Sequence, residues 1–223
     1  MDSEVNSSAV AGSRTGRGLS EHAYTTLRDM IVTLELPPGS PIHEERLGRS
    51  IHVGRTPMRE AIKRLESEDL VVIYPRRGTF VADINITDHG LIAEVRRNLE
   101  GQAARSAAAR ASEAERTELA ELADRIGQQQ DDAGMMRLDT EIHRALYHCT
   151  GNRYLESTLN HYYNLTLRIW YLFLARLPGM PEHIAEHERL LRAIISGQGE
   201  LAAQIATSHV EHFENAVFAA LRE

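Results

Sequence analysis

The 223-residue chain carries a single cysteine, Cys149, so no internal disulfide and no cysteine-based zinc cluster can form. Any metal would have to be held by histidine and carboxylate. No apolar run reaches eighteen residues, and no membrane-spanning helix is expected. The first twenty residues place Asp2, Glu4, Arg14 and Arg17 around no apolar core, so a secretory signal is not expected either and the cytoplasm is the expected compartment. Lysine is almost missing: of the 25 basic residues only Lys63 is not arginine, so a lone arginine says little and clustering becomes the signal. Against these shortages stand 42% hydrophobic and 26% charged residues, the profile of a globular chain with length for one large or two small domains.

The net charge of −7 conceals a local inversion. From Arg46 to Arg77, eight basic residues (Arg46, Arg49, Arg55, Arg59, Lys63, Arg64, Arg76, Arg77) face four acidic ones, and the remainder of the chain is correspondingly more acidic. Residues 1–18 are rich in Ser, Gly, Ala and Arg without periodicity, and a disordered tail is expected there. From Ser20 to Glu35 the apolar set Ala23, Leu27, Ile31 and Leu34 predicts a helix with Ser20 as N-cap, stopped by Pro37-Pro38-Gly39. A short helix fits Glu44 to Ile51. Pro57 sits where a first helical turn tolerates it, and Met58, Ala61, Ile62 and Leu65 mark one face of a third helix. Leu70–Tyr74 and Thr79–Ala82 then read as a hairpin turned by Pro75-Arg76-Arg77-Gly78. Three helices and a hairpin make a winged helix-turn-helix over residues 19–83. Residues 84–87 form a linker, and 88–223 predict an antiparallel all-α bundle of about six helices (87–110, 113–130, 134–149, 152–176, 181–196 and 199–221). The fold class is therefore mainly α.

The third helix opens Gly54-Arg55-Thr56-Pro57-Met58-Arg59, placing two guanidinium groups at the positive end of the helix dipole, a local cost that a DNA phosphate would offset. In a helix-turn-helix these first residues enter the major groove, where arginine forks onto guanine. Arg55, Thr56 and Arg59 are the expected base and phosphate contacts, with Arg49 beside them. Arg76, Arg77 and Gly78 at the hairpin tip would reach phosphates or the minor groove of a double-stranded operator.

Eight of the eleven histidines lie beyond residue 86, and three interrupt apolar stripes. Asp139 and His143 stand one helical turn apart on the stripe Met135, Leu138, Ile142, Leu146. His187 lies between Ile184 and Leu191, and His209 on the line Leu201, Ile205, Phe213, Val217, whereas His212 reads as solvated. A lone histidine on an apolar face is more often a hydrogen-bonded core residue. Four such groups would each need a partner, because an unpaired buried charge costs several kcal/mol, and one divalent ion would serve all four. Zn²⁺, Ni²⁺ and Mn²⁺ lead, with Fe²⁺ also compatible with these donors. Arg168, amid Leu165, Ile169 and Leu172, would line the same cavity. Tyr162, Tyr163, Trp170, Tyr171 and Phe173 read as core or dimer contacts, and Cys149 as a packing residue.

The segment from Ile42 to Leu65, with His43-Glu44-Glu45-Arg46-Leu47 and Val53-Gly54-Arg55-Thr56-Pro57-Met58-Arg59-Glu60-Ala61-Ile62-Lys63-Arg64-Leu65, resembles the GntR family of bacterial transcriptional regulators. It departs at three places: Glu45 stands where the family often has a DNA-contacting arginine, Gly54 where it usually has Ser, and Asp69 where it usually has Gly. Glu94-Val95-Arg96-Arg97-Asn98-Leu99-Glu100, Asp139-Thr140-Glu141-Ile142-His143 with Gly151-Asn152, and Glu186-His187-Glu188-Arg189-Leu190-Leu191 resemble the helical ligand-binding domain of the FadR branch, the FCD type. The resemblance implies metal ligands at Asp139, His143, His187 and His209. It also implies a small organic-acid effector with Arg96 as a second anchor, and six helices imply the VanR-like subgroup.

The expected protein is a homodimeric, metabolite-responsive regulator, more often a repressor in that family, reading a pseudo-palindromic operator. Two other readings stay open. One is a metal-dependent hydrolase or lyase fused to a nucleic-acid anchor, although Glu141 points away from Asp139 by helical geometry. In the other the metal is purely structural.

Overall fold

Ala23, Leu27 and Ile31, four residues apart, form the buried edge of helix α1 (Val5–Val32) in a computed structural model. The structure describes the backbone of residues 5–128, 131–174 and 180–220, and the side chains of 18–128, 131–174 and 182–220. The backbone of α1 reaches back to Val5, so Ser20 is interior to the helix and not its cap, and the boundary read at residue 18 is crossed. No proline interrupts this stretch, and extending an existing helix costs far less than nucleating one. Residues 1–4 lie outside the described ones.

The chain divides into two units, Met1–Ile84 and Asn85–Glu223. In the first, α1 packs on α3 (Arg55–Ser67) through Met58, Ala61, Ile62 and Leu65, with α2 (Glu44–Ser50) across the end of α3. The turn between α2 and α3 is fixed by backbone hydrogen bonds: the His52 N–H donates to the Arg49 carbonyl (3.4 Å) and the Val53 N–H to the Gly48 carbonyl (2.8 Å). His52 takes φ +58, the left-handed residue of a Schellman motif. A Cβ on Gly48 would stand 2.7 Å from the Val53 carbonyl, so this turn requires glycine. The end of α3 repeats the device, with Asp69 at φ +58 and the Leu70 N–H donating to the Leu65 carbonyl at 3.0 Å. Asp serves here because its short polar side chain tolerates the left-handed region.

Strands β1 (Val71–Tyr74) and β2 (Gly78–Val81) pair antiparallel with Val71 opposite Val81 and Tyr74 opposite Gly78. Arg76 (φ +64) and Gly78 (φ +107) supply the turn. Residues 39–42 add a third edge not foreseen in the sequence: the Gly39 and Ile42 N–H groups donate to the Val81 and Thr79 carbonyls, and the Val81 N–H to the Ser40 carbonyl.

The second unit holds, among the described residues, α4 (Asp88–Arg110), α5 (Glu113–Arg125), α6 (Asp132–His148), α7 (Arg153–Phe173), α8 (Met180–Ile195) and α9 (Gly199–Ala220). Its boundaries follow from local chemistry. The Asn85 carboxamide oxygen accepts from the Thr87 N–H and hydroxyl, so Asn85 organises the entry to α4. Ser112 and Glu115 form a capping box on α5, Asp131 caps α6 and Asn152 caps α7. Helix α5 stops at Arg125, short of the expected residue 130, because Gly127 turns the chain at φ +83. The expected ends at 176 and 221 lie outside the described residues. Helix α4 packs along α9, and Gly101 permits the approach: a Cβ there would lie 2.8 Å from the Thr207 hydroxyl. No described helix is long and apolar enough to cross a membrane.

Candidate metal centre and nucleic-acid interface

Helix α6 sets Asp139 and His143 one turn apart on its buried face, α8 contributes His187, and α9 contributes His209. All four are at most 4% exposed, and one ligand atom from each lies within 4.8 Å of the others. The His187 Nε2 is 3.3 Å from the His143 Nε2 and 3.5 Å from the Asp139 Oδ1, and the His143 Nε2 is 3.9 Å from that oxygen. Donors held tetrahedrally at about 2.0–2.2 Å from one Zn²⁺-sized ion would stand roughly 3.3–3.6 Å apart, so these separations are near what an ion would impose. Asp139 Oδ1 makes no hydrogen bond among the described residues although it is fully buried. An ionised oxygen so placed is costly unless a cation faces it. The residues present fit a divalent metal.

Electrostatics and hydrogen bonding prepare the donors. Burial alone would raise the Asp139 pKa, but the imidazoles of His143, His187 and His183 outweigh it and hold the carboxyl well below its usual range. Burial lowers the three ligand histidines: His143 well below 6.5, His187 to about 3 and His209 to about 4. One carboxylate and three neutral rings therefore converge. The Tyr147 hydroxyl donates to Glu100 Oε1 at 2.5 Å, so at its 3.1 Å contact with His143 Nδ1 it can only accept. That fixes the His143 proton on Nδ1 and leaves the Nε2 lone pair facing the other donors. Glu186, lowered to about 2 chiefly by its bond to His209, accepts from His209 Nδ1 at 3.0 Å and likewise frees its Nε2. The Tyr163 hydroxyl donates to Asp139 Oδ2 at 2.5 Å.

Arg96, read as an effector anchor, is buried in an ion pair with Glu100 (2.5 Å), with its guanidinium carbon 5.4 Å from the Tyr163 ring centre. It is thus joined to the four donors through Glu100, Tyr147 and His143. Arg168 is also buried, on α7 five residues beyond Tyr163. Glu141 is turned outward to Arg125 (2.5 Å), where it cannot serve chemistry at the cluster.

In the first unit Arg49, Arg55, Thr56 and Arg59 are exposed, as are Arg76, Arg77 and Gly78 at the hairpin tip. Arg46, Arg49, Arg55 and Arg59 line a groove of about 810 Å³ where α2 meets the start of α3. Gly54 occupies the N-cap of α3 with no side-chain cap, which leaves the first N–H groups open to an external anion. Glu45 forms a salt bridge with Arg55 at 2.7 Å across the two helices.

The model of bacterial regulatory proteins of the gntR family matches residues 19–81, and that of the FCD domain matches residues 91–212. The chain is a GntR-family regulator with an FCD domain. It is 28% identical over 205 residues to an uncharacterized HTH-type transcriptional regulator in an unstable DNA locus of Streptomyces ambofaciens, covering 87% of this chain and 83% of that one. It is 24% identical to the HTH-type transcriptional repressor RspR of Escherichia coli, covering 89% of each. Among solved structures, E. coli McbR/YncC shares the fold with a TM-score of 0.78 at 19% identity, over 90% of this chain and 97% of that one. The GntR family consists of transcriptional regulators and not enzymes, so the hydrolase or lyase reading is set aside.

The winged domain implies DNA binding, and the FCD domain implies a small-molecule ligand. Glu100, Tyr147, Tyr163, Glu186 and His183 carry no site signature in the apolar stripes that mark the four ligands. Tyr163, expected to be packing, also donates to Asp139, and His212 is exposed as expected while Glu186 accepts from its Nδ1 at 2.7 Å. His183 carried a usable signal, since it precedes His187 by one helical turn on α8.

Proposed function

We propose that this GntR-family regulator holds a divalent metal at Asp139, His143, His187 and His209, and that a small organic acid bound there governs its grip on an operator. The observation that carries this reading is the buried Asp139 Oδ1, without a hydrogen bond among the described residues and faced by ring nitrogens at 3.5–3.9 Å. When bound, the metal would supply an electrophilic position for a carboxylate. Zn²⁺, Ni²⁺ and Mn²⁺ suit this donor set best. Arg96 is the second anchor, reached by exchange of its internal carboxylate partner Glu100 for the effector, and Arg168 extends the polar wall. Because the four ligands and Arg96 are almost wholly enclosed, an effector enters only by local opening, which couples binding to rearrangement.

On the DNA side, Arg55, Thr56, Arg59 and Arg49 address the major groove, and Arg76, Arg77 and Gly78 the adjacent backbone or minor groove. A homodimer reads a pseudo-palindromic operator, since one small winged module binds weakly and two linked ones multiply effective concentration. Asp83 to Thr87 serves as hinge. A hundredfold release requires about 2.7 kcal/mol of preference for the non-binding arrangement. Repression, the VanR-like subgroup suggested by six helices, and a cytoplasmic location complete the reading. The test is an anisotropy titration on DNA from upstream of the gene, with and without chelator and a panel of organic acids. Acid-dependent release that vanishes after chelation is the expected result; metal-free protein with unchanged acid response would overturn it.

A further inference from the structure

His183 stands in the first turn of α8 with its Nε2 3.7 Å from the Asp139 Oδ1, nearer to that oxygen than the His143 Nε2 at 3.9 Å. The Nε2 is buried and makes no hydrogen bond among the described residues. Its ring lies 4.0 Å from that of His209 and 5.7 Å from that of His187, and Trp170 meets it edge-on at 4.4 Å. His183, Glu186 and His209 by themselves form a second group with metal-binding spacing that shares His209 with the first. Two orphaned buried polar atoms thus face each other, one on a carboxylate and one on an imidazole, too far apart to hydrogen-bond and close enough to share an ion.

We infer that His183 is an exchangeable intrinsic ligand, occupying the coordination position that a carboxylate effector must take. This rests on the metal reading above. Its place differs from that of the other three histidines. His143 and His209 are locked by Tyr147 and Glu186, and His187 is fully buried, whereas the His183 side chain is 11% exposed and sits in a first helical turn, where opening costs least. In that exchange the bond from His183 Nε2 to the ion would give way to one from the carboxylate oxygen, the imidazole leaving neutral and the oxidation state unchanged. Metabolites lacking a carboxylate able to displace an imidazole gain no entry, so the protein's own side chain sets a selectivity threshold.

The test uses full-length protein stripped of metal and reloaded with Co²⁺, with acetate as probe. In the wild-type protein, four paramagnetically shifted imidazole N–H resonances are expected; three would overturn the inference. His183→Ala should retain Co²⁺ to within about tenfold while altering its ligand-field spectrum. The variant should bind acetate about tenfold more tightly, if His183 occupies the position nine-tenths of the time. His183→Phe keeps the ring against Trp170 without a donor and should behave alike, which guards against a packing defect. Spectra and acetate affinity matching wild type in both variants would overturn the inference while leaving the four-residue centre standing. Failure of the wild-type protein to take up Co²⁺, or uptake undiminished by His187→Ala, would remove the metal reading itself.

Discussion

The Tyr163 hydroxyl holds the Oδ2 of Asp139 at 2.5 Å while the Oδ1 of the same carboxylate faces the histidines with no hydrogen bond among the described residues. A neighbouring donor of this kind fixes the rotamer of a ligand, and its loss typically costs tenfold to a hundredfold in metal affinity. Tyr163→Phe is expected to weaken Zn²⁺ or Co²⁺ binding by about tenfold or more, with helix content unchanged. Competition against a chromophoric chelator checks it, and an unchanged dissociation constant would count against a positioning role.

Two substitutions should separate the halves of the protein. Arg59→Ala is expected to abolish specific DNA binding while leaving metal content intact, because Arg59 is exposed on α3 in the unit that lacks the cluster. His187→Ala is expected to lose metal while the winged unit keeps its fold. Anisotropy on operator DNA and metal analysis of the same preparations decide it; equal loss of both properties in either variant speaks against independent sites.

Arg96 and Glu100 form a buried ion pair, at 5% and 2% side-chain exposure. Breaking such a pair from one side strands a charge and costs about 3–5 kcal/mol. Arg96→Ala should therefore reduce the free energy of urea unfolding by that order, whatever its effect on the effector. The effector role is better probed with Arg96→Lys, which keeps the charge but loses the fork. Lysine should retain most of the stability and weaken organic-acid binding about tenfold or more; full acid affinity in the lysine variant would exclude Arg96 as anchor.

His89 gives acid sensitivity independent of the metal ligands. It is 1% exposed on α4, edge-on to Phe213 and Phe218, and burial, reinforced by Arg96, lowers its pKa to about 4. The unfolded chain, with a pKa near 6.5, takes up the proton first. Stability is thus fully present above about pH 6.5 and is lost as pH falls toward 4, by on the order of 3 kcal/mol. In metal-free protein, His89→Phe should flatten the pH dependence of urea unfolding between about pH 7 and pH 4.5. A slope equal to wild type would show the ring titrating freely.

The fold was largely readable because its signals are local. Apolar spacing marked α3 and α6, Pro75 to Gly78 marked the hairpin, and the four metal-ligand candidates each broke an apolar stripe. What escaped was non-local. Residues 39–42 have no strand pattern of their own and become a third edge only because β2 offers free groups there. Tyr147, Tyr163 and Glu100 look like ordinary packing or surface residues until three helices bring their oxygens together. Leu201 was read as core by its spacing, yet it is 42% exposed, and the buried line of α9 runs through Ala202, Ala206 and His209 instead.

The glycine at position 101 leaves no room for even a methyl group between α4 and α9. Helices seated this closely cannot slide past one another without opening a void, so they form one rigid pair. One member of the pair, α9, bears His209, and the other, α4, begins directly after the DNA-binding unit in the chain. Replacing that glycine with any larger residue would force α4 and α9 apart at the Thr207 hydroxyl.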